Sequence, residues 1–280
     1  MPRRLALVLA GLLALFSAGC AHTNRLQPGD AARFESSAAC RHCDLRYLDV
    51  SGRRFETLHL VGAYLFNVNL SGAQVGRGVF QSANLELGNL ERVEILEAQF
   101  DRAVLISANL TGATLVQASM TRLAGREAIF DAADISGADL TTADLRGASF
   151  VHAFAEGTRF VSAELGRANF TRAQMQRAAF SNASLGEAVL AQAQLAFADF
   201  RGARLQRANL TKARLAFANF AAADLRDADL AGADLTGVNL TGADLRRANL
   251  RGAELGSALL ETANLCDATL PDGTRFKCGS

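Results

Sequence analysis

The middle of the chain, Ala138–Gly147, reads ADLTT ADLRG, which is one five-residue pattern written twice. Between residues 45 and 270 a large apolar residue occupies nearly every residue number divisible by five, and the residue two before it is nearly always Ala. The clear exceptions at this central position are Gly125 and Ala155. A repeat this regular decides the fold before any local motif does.

A period of five does not suit a helix. At about 100° per residue, successive leucines would rotate by roughly 140° and leave no continuous apolar face. The Ala and the central residue are two positions apart, so an extended segment places both on one side. Because the next inward pair begins three residues later, a corner has to follow each segment. Short extended sides joined by regular corners predict a β-solenoid.

A second period, of twenty, gives the number of sides. Leu195–Phe200 (LAFADF) returns twenty residues later as Leu215–Phe220 (LAFANF). The same spacing relates a column of central phenylalanines: Phe80, Phe100, Phe160, Phe180, Phe200 and Phe220. Four sides of five residues in each coil is the simplest interpretation.

The pattern A-(D/N)-L-x-x resembles that of the pentapeptide-repeat family, and it covers roughly four-fifths of the chain. The resemblance implies an all-β, right-handed, four-sided (quadrilateral) β-helix, with the central residue and the preceding Ala inside. Residues 45–270 would then form about eleven coils stacked about 4.8 Å apart. We expect local distortion at Gly125, beside Leu123, and at Ala155, beside Phe154.

The N-terminus has the layout of an export signal. Arg3 and Arg4 precede the apolar run 5–16, and Ser17-Ala18-Gly19 leads to Cys20. This resembles a bacterial lipoprotein signal, which implies cleavage of residues 1–19, a lipid on Cys20 and attachment to the periplasmic side of the outer membrane. The alternative is an uncleaved anchor, although the apolar run is short for a span of about 20 residues.

Three further segments complete the predicted organisation. Residues 20–44 form the lipidated tether and an N-terminal cap, in which 30–39 is either a short helix with Asp30 as N-cap and Phe34 facing inward, or unstructured. Residues 45–270 form the β-helix. Residues 271–280 form a C-terminal cap, because the turn signal Pro271-Asp272-Gly273-Thr274 stops the repeats.

Four cysteines remain after Cys20. The two ends of the predicted rod are about 50 Å apart, whereas a disulfide needs Cα atoms within about 7 Å. Within one molecule, Cys40 therefore pairs with Cys43, and Cys266 with Cys278. A redox or metal-handling role for Cys40 and Cys43 is the alternative, although a tetrahedral zinc site needs four ligands and only His42 lies between them.

Charge argues against nucleic acid as a partner. Without Arg3 and Arg4 the chain has 27 basic and 28 acidic residues. Some members of the family imitate DNA and inhibit topoisomerases, which requires a strongly negative field that this chain lacks. One side carries mixed charges, from Asp144 and Arg146 to Asp244 and Arg247, and predicts a ladder of ion pairs rather than a basic binding face.

No motif for catalysis or for a cofactor occurs in the sequence, and the repeated Asp residues follow the architecture. Phe197 and Phe217 occupy outward positions one coil apart and predict a possible interaction patch. The sequence therefore predicts a non-enzymatic, lipid-anchored rod that offers a rigid surface to an envelope protein. It identifies neither that partner nor the oligomeric state.

Overall fold

The computed structural model describes residues 28–278. The predicted signal peptide 1–19 and Cys20 lie outside the described residues. Within the part of the chain that the structure describes, no helix is long and apolar enough to cross a membrane.

Each five-residue repeat folds as a short extended side followed by a turn. In the repeat that follows Leu140, the N–H of Ala143 donates to the Leu140 carbonyl over 3.0 Å, and Thr142 has a φ of 59°. A positive φ recurs at nearly every fifth residue between His42 and Asp267. This left-handed residue turns the chain and resets the inward alternation, as the period of five requires.

Parallel bridges join residues twenty apart. Asp139 pairs with Arg159, and the Leu140 N–H donates to the Arg159 carbonyl over 2.7 Å. Equivalent bridges occur at every fifth residue, so each stretch of 20 residues has four bridge positions. In the regular coils, the N–H groups of the central residue, of the residue before it and of the second residue after it donate to neighbouring coils, whereas the residue directly after it has no backbone acceptor.

Three coils near the N-terminus depart from this pattern. Continuous strands β1 (Arg54–His59), β2 (Gln74–Val79) and β3 (Glu94–Gln99) form a parallel sheet in the order β1-β2-β3. Each strand runs straight through the place of a corner, and the residues at 57, 77 and 97 have no positive φ. The aromatic and β-branched residues that begin these segments inside the coil, at 55, 75 and 95, favour extended backbone.

The interior is filled by the central residues and the alanines. Central residues from Leu60 to Leu250 are almost completely buried. The predicted phenylalanine column is confirmed: the rings of Phe160 and Phe180 stack with centroids 4.9 Å apart, and those of Phe180 and Phe200 with centroids 4.7 Å apart. Burial of each such ring contributes about 1.5–3 kcal/mol to folding.

The distortion expected at Gly125 and Ala155 does not occur, and that prediction is wrong. The N–H of Gly125 donates to the backbone carbonyl of Asp144 over 2.8 Å, and that of Ala155 to the backbone carbonyl of Gln174 over 2.7 Å, as in regular coils. Leu123 points inward and fills the space that Gly125 leaves. Backbone hydrogen bonding between coils therefore tolerates a missing central side chain.

The N-terminal end is closed by helix α1 (Pro28–Ser37), whose Phe34 is 1% exposed. Asp30 is the third residue of this helix and not its N-cap; its carboxylate accepts the Asp44 N–H over 2.9 Å. The ladder begins at Ala39, with a bridge to His59, so the first coil starts before the predicted boundary at residue 45. Both cysteines face inward in this coil: Cys40 takes a central position, and Cys43 takes the place of the usual Ala before Leu45.

The C-terminal end is less completely covered. After the turn at Pro271–Gly273, Arg275 pairs antiparallel with Thr269. The interior residues Leu255, Leu260 and Leu265 of the last coil remain partly exposed. The two ends of the solenoid are therefore closed to different extents.

Candidate interaction surface

The predicted patch is a stacked pair of exposed rings. The centroids of Phe197 and Phe217 lie 5.3 Å apart with an angle of 11° between the planes. Each residue is 56% exposed, whereas the phenylalanines at central positions from Phe80 to Phe220 are fully buried. The side chains have this position because both residues occupy the outward turn that follows a central leucine.

The pair is extended by residues of the same column. The Arg177 guanidinium lies 5.8 Å from the Phe197 ring centroid, and the Phe217 ring lies beside Gly237, where an added Cβ would be 2.6 Å from the ring. Sequence reasoning missed both residues, although each is twenty positions from a phenylalanine. The surface of this column thus combines one cation, two ring edges and a backbone segment without a side chain, at Arg177, Phe197, Phe217 and Gly237.

The backbone at both phenylalanines is left-handed, with φ values of 63° and 60°. Bulky L-residues rarely adopt this conformation, and it costs about 1–2 kcal/mol relative to Gly. Glycine occupies the equivalent turn position in many other repeats, such as Gly147 and Gly237. Most of the other corners nevertheless carry a residue other than glycine, such as Arg122, so the left-handed backbone is a property of the corner and not of the phenylalanines.

A second exposed aromatic contact lies near the N-terminal end and was not predicted. The rings of Tyr47 and Phe66 meet edge to face with centroids 5.8 Å apart, and Tyr64 is 56% exposed. The signal in the sequence was composition, because both tyrosines of the chain fall in this region.

The charged side carries the predicted ladder of ion pairs. Asp144 accepts hydrogen bonds from Arg146 over 2.8 Å and from Arg126 over 2.7 Å. These bonds, with that from Arg146 the stronger, outweigh partial burial and lower the pKa of Asp144 to about 2. Arg226 pairs with Asp224 in the same way. The bond from Arg126 joins two successive coils, whereas those from Arg146 and Arg226 lie within one repeat.

The cysteines lie as the rod geometry predicts. The structure joins Cys40 to Cys43, with Cα atoms 5.6 Å apart, and Cys266 to Cys278, with Cα atoms 5.1 Å apart. Cys40 and Cys43 are 3% and 1% exposed. Asp30 places a carboxylate oxygen within 4.8 Å of both sulfurs, so three potential metal ligands would be present only after reduction of the disulfide. Burial of this group disfavours thiol exchange with external partners.

Comparison with known proteins identifies the family. The model of pentapeptide repeats matches eight segments, which run from residue 83 to residue 272 with a gap only at 123–124. No curated protein matches the chain.

Several solved structures are similar. HetL, a pentapeptide repeat protein involved in heterocyst differentiation regulation from the cyanobacterium Nostoc sp. strain PCC 7120, is 29% identical, with a TM-score of 0.51 over 90% of this chain and 100% of that chain. QnrB1, a plasmid-mediated fluoroquinolone resistance protein, is 20% identical, with a TM-score of 0.47 over 74% of this chain and 90% of that chain. The family match over more than half of the sequence is decisive: the chain belongs to the pentapeptide-repeat family.

Proposed function

We propose that this protein is a non-enzymatic, lipid-anchored rod in the bacterial cell envelope. It folds as a right-handed β-helix of about eleven coils and presents a rigid surface, centred on Phe197 and Phe217, to a partner protein. Membership of a family of stacked repeats supports the scaffold. The observation that carries the proposal is the stacked, exposed phenylalanine pair in left-handed backbone.

The aromatic pair has the properties of a binding hot spot. Rings contribute large contact areas, and exposed rings on a rigid element lose little conformational entropy on binding. Arg177 adds a cation beside the Phe197 ring, so a partner can combine apolar contact with one polar contact. We expect the partner to contribute an apolar side chain that covers the ring edges.

The N-terminal sequence supports the location. Arg3 and Arg4, the apolar run 5–16 and Cys20 match the order of elements in a lipoprotein signal. We propose that Cys20 carries the lipid and that the protein faces the periplasm from the outer membrane. Fractionation and mass spectrometry of the wild type and Cys20→Ala test this step. A Cys20→Ala protein that remains processed and bound to the membrane contradicts it.

The interaction is tested by crosslinking in intact envelopes. The double variant Phe197→Gly with Phe217→Gly removes both rings and suits the left-handed turns, so it keeps the fold. Gln117→Gly is the matched control, since Gln117 is an exposed left-handed residue in the same column. We expect the double variant to lose a crosslinked partner that the wild type and the control retain. An identical set of partners in all three proteins would refute the role of the pair.

A further inference from the structure

A groove interrupts the corner between two sides of the solenoid, at a different corner from Phe197 and Phe217. It has a volume of about 760 Å³. Gly166 and Gly186 lie at its floor, and Arg146 and Gln206 occupy the equivalent positions in the coils on either side. At about 4.8 Å per coil, the distance from Arg146 to Gln206 is about 14 Å.

The two glycines are not required by the backbone. Neither has a positive φ, and an added Cβ would lie 3.8 Å from its nearest neighbour at Gly166 and 3.9 Å at Gly186. These are ordinary contact distances, and the equivalent residues in other coils include Arg126, Arg146 and Gln206. The missing side chains therefore open the groove without serving the turn.

Backbone donors are unpaired at the floor. In two later coils the N–H at this position donates to the carboxylate two residues before it, as Arg226 does to Asp224 over 3.2 Å, but in the coils that adjoin the glycines it has no acceptor among the described residues either. Glu164 and Ser184 occupy that place beside the glycines and accept no such bond. Among the described residues, the N–H groups of Gly166 and Gly186 consequently have no hydrogen-bond acceptor.

Arginines outnumber acidic residues in the lining of the groove, but five of the six arginines are in ion pairs. Its lining includes six arginines and three acidic residues: Arg126, Arg146, Arg167, Arg207, Arg226, Arg247, Glu127, Glu187 and Asp227. Arg167 pairs with Glu187 over 2.9 Å, and Arg247 with Asp227 over 2.6 Å. Within the described part of the chain, Arg207 has neither an ion pair nor a side-chain hydrogen bond. One guanidinium thus remains available beside the unpaired backbone donors.

We propose that this groove binds an extended, acidic segment of a partner protein. A length of about 14 Å accommodates about four residues at 3.3 Å each. A carboxylate of the segment binds Arg207 in bidentate fashion, and its carbonyl oxygens accept the N–H groups of Gly166 and Gly186. The acidic groups already in the groove favour a peptide, which carries donors as well as carboxylates, over a purely anionic ligand.

Binding is measured by fluorescence anisotropy with the purified full-length protein. The probes are labelled Gly-Asp-Glu-Asp-Glu-Gly and the amide peptide Gly-Asn-Gln-Asn-Gln-Gly. We expect at least about tenfold tighter binding of the acidic peptide, because hydrogen bonds to charged groups are the stronger ones. The difference should shrink as salt is added.

Two kinds of variant locate the site. Arg207→Gln removes the available charge, and Gly186→Gln fills the groove with a side chain that the next coil already carries as Gln206. Each should weaken binding of the acidic peptide about tenfold. The controls are Arg122→Gln, another exposed arginine in a left-handed turn, and Gly256→Gln, a glycine with equal space for a side chain. Neither control should change the affinity.

The proposal is overturned if both peptides bind alike, if neither binds, or if the groove variants bind as the wild type does. Phosphatidylglycerol vesicles distinguish a lipid surface: vesicle binding that Arg207→Gln abolishes, without peptide binding, assigns the groove to the membrane instead. Thermal melts confirm that each variant is folded, and if Gly186→Gln unfolds, Arg207→Gln decides alone. Because Phe197 and Phe217 lie at a different corner, a negative result for the groove does not contradict the proposed function.

Discussion

Leu123 occupies the interior space beside Gly125. A Cβ added to Gly125 would lie 3.3 Å from Cδ2 of Leu123 and 3.0 Å from Cδ2 of Leu145. The large and small residues of this repeat have exchanged places relative to the usual Ala-x-Leu order. Core volume is therefore conserved within the repeat although the pattern is broken.

The exchange predicts a compensating double variant. Leu123→Ala leaves a cavity and should lower the free energy of unfolding by about 2–5 kcal/mol. Gly125→Leu overpacks the interior and should lower it by about 1–3 kcal/mol. Together they restore the usual order, and we expect the double variant to recover most of the loss in urea denaturation. A loss equal to the sum of the single effects would show that the two sites are independent.

Acid should weaken the charged ladder. The folded-state pKa of Asp144 is lowered to about 2 by hydrogen bonds from Arg146 and Arg126. Its contribution to stability is therefore complete above about pH 4, the pKa of an unfolded Asp, and is lost as the pH falls towards 2. We expect the melting temperature of Asp144→Asn to fall less over this interval than that of the wild type.

The matched control is Glu164→Gln. Glu164 lies one coil further on and pairs with Asp144 through the backbone, but its side chain accepts no hydrogen bond among the described residues. The melting temperature of Glu164→Gln should change with pH as that of the wild type does. If the wild type and Asp144→Asn respond identically to acid, the Asp144–Arg146 pair contributes nothing to folding.

The two cysteine pairs should differ in accessibility. Cys40 and Cys43 are buried under α1, whereas Cys278 is exposed at the chain end. Mild reduction of the folded protein followed by alkylation should modify Cys266 and Cys278 first, as mass spectrometry can measure. Free thiols at Cys40 and Cys43 in untreated protein, with bound zinc, would instead favour the metal-handling alternative.

The two ends should also differ in sensitivity to mutation. Phe34 is 1% exposed and closes the first coil, whereas Phe276 is 43% exposed. Phe34→Ala should cost about 3–5 kcal/mol and increase hydrogen exchange in β1. Phe276→Ala is the control and should change stability by about 0.5 kcal/mol or less. Equal effects would mean that α1 does not close the solenoid.

The sequence predicts what periodicity controls. Inward residues, the phenylalanine column and the separation of the cysteine pairs all follow from spacings of five and twenty. Position in the repeat also placed Phe197 and Phe217 outside. These predictions succeeded because every coil imposes the same hydrogen bonds on its neighbours, so one repeat describes the rest.

Departures from the repeat were harder to predict. The sequence does not predict the straight strands through residues 57, 77 and 97, where three successive coils lack the left-handed turn of the repeat. The sequence predicts a cap for Cys40 and Cys43, whereas both are buried inside the first coil. The sequence does not predict the groove at Gly166 and Gly186, because the residues that line it come together only in the folded chain.

The most direct test of the account is a cysteine scan through one repeat, residues 208–212. Ala208 and Leu210 are fully buried, whereas Asn209, Thr211 and Lys212 reach the surface. Each residue is replaced by Cys in turn, and the rate of modification by a soluble thiol reagent is measured in the folded and the urea-unfolded protein, relative to the wild type. We predict protection at positions 208 and 210 alone; equal reactivity at all five positions in the folded protein, or a helical pattern of protection, would contradict the inward-facing repeat.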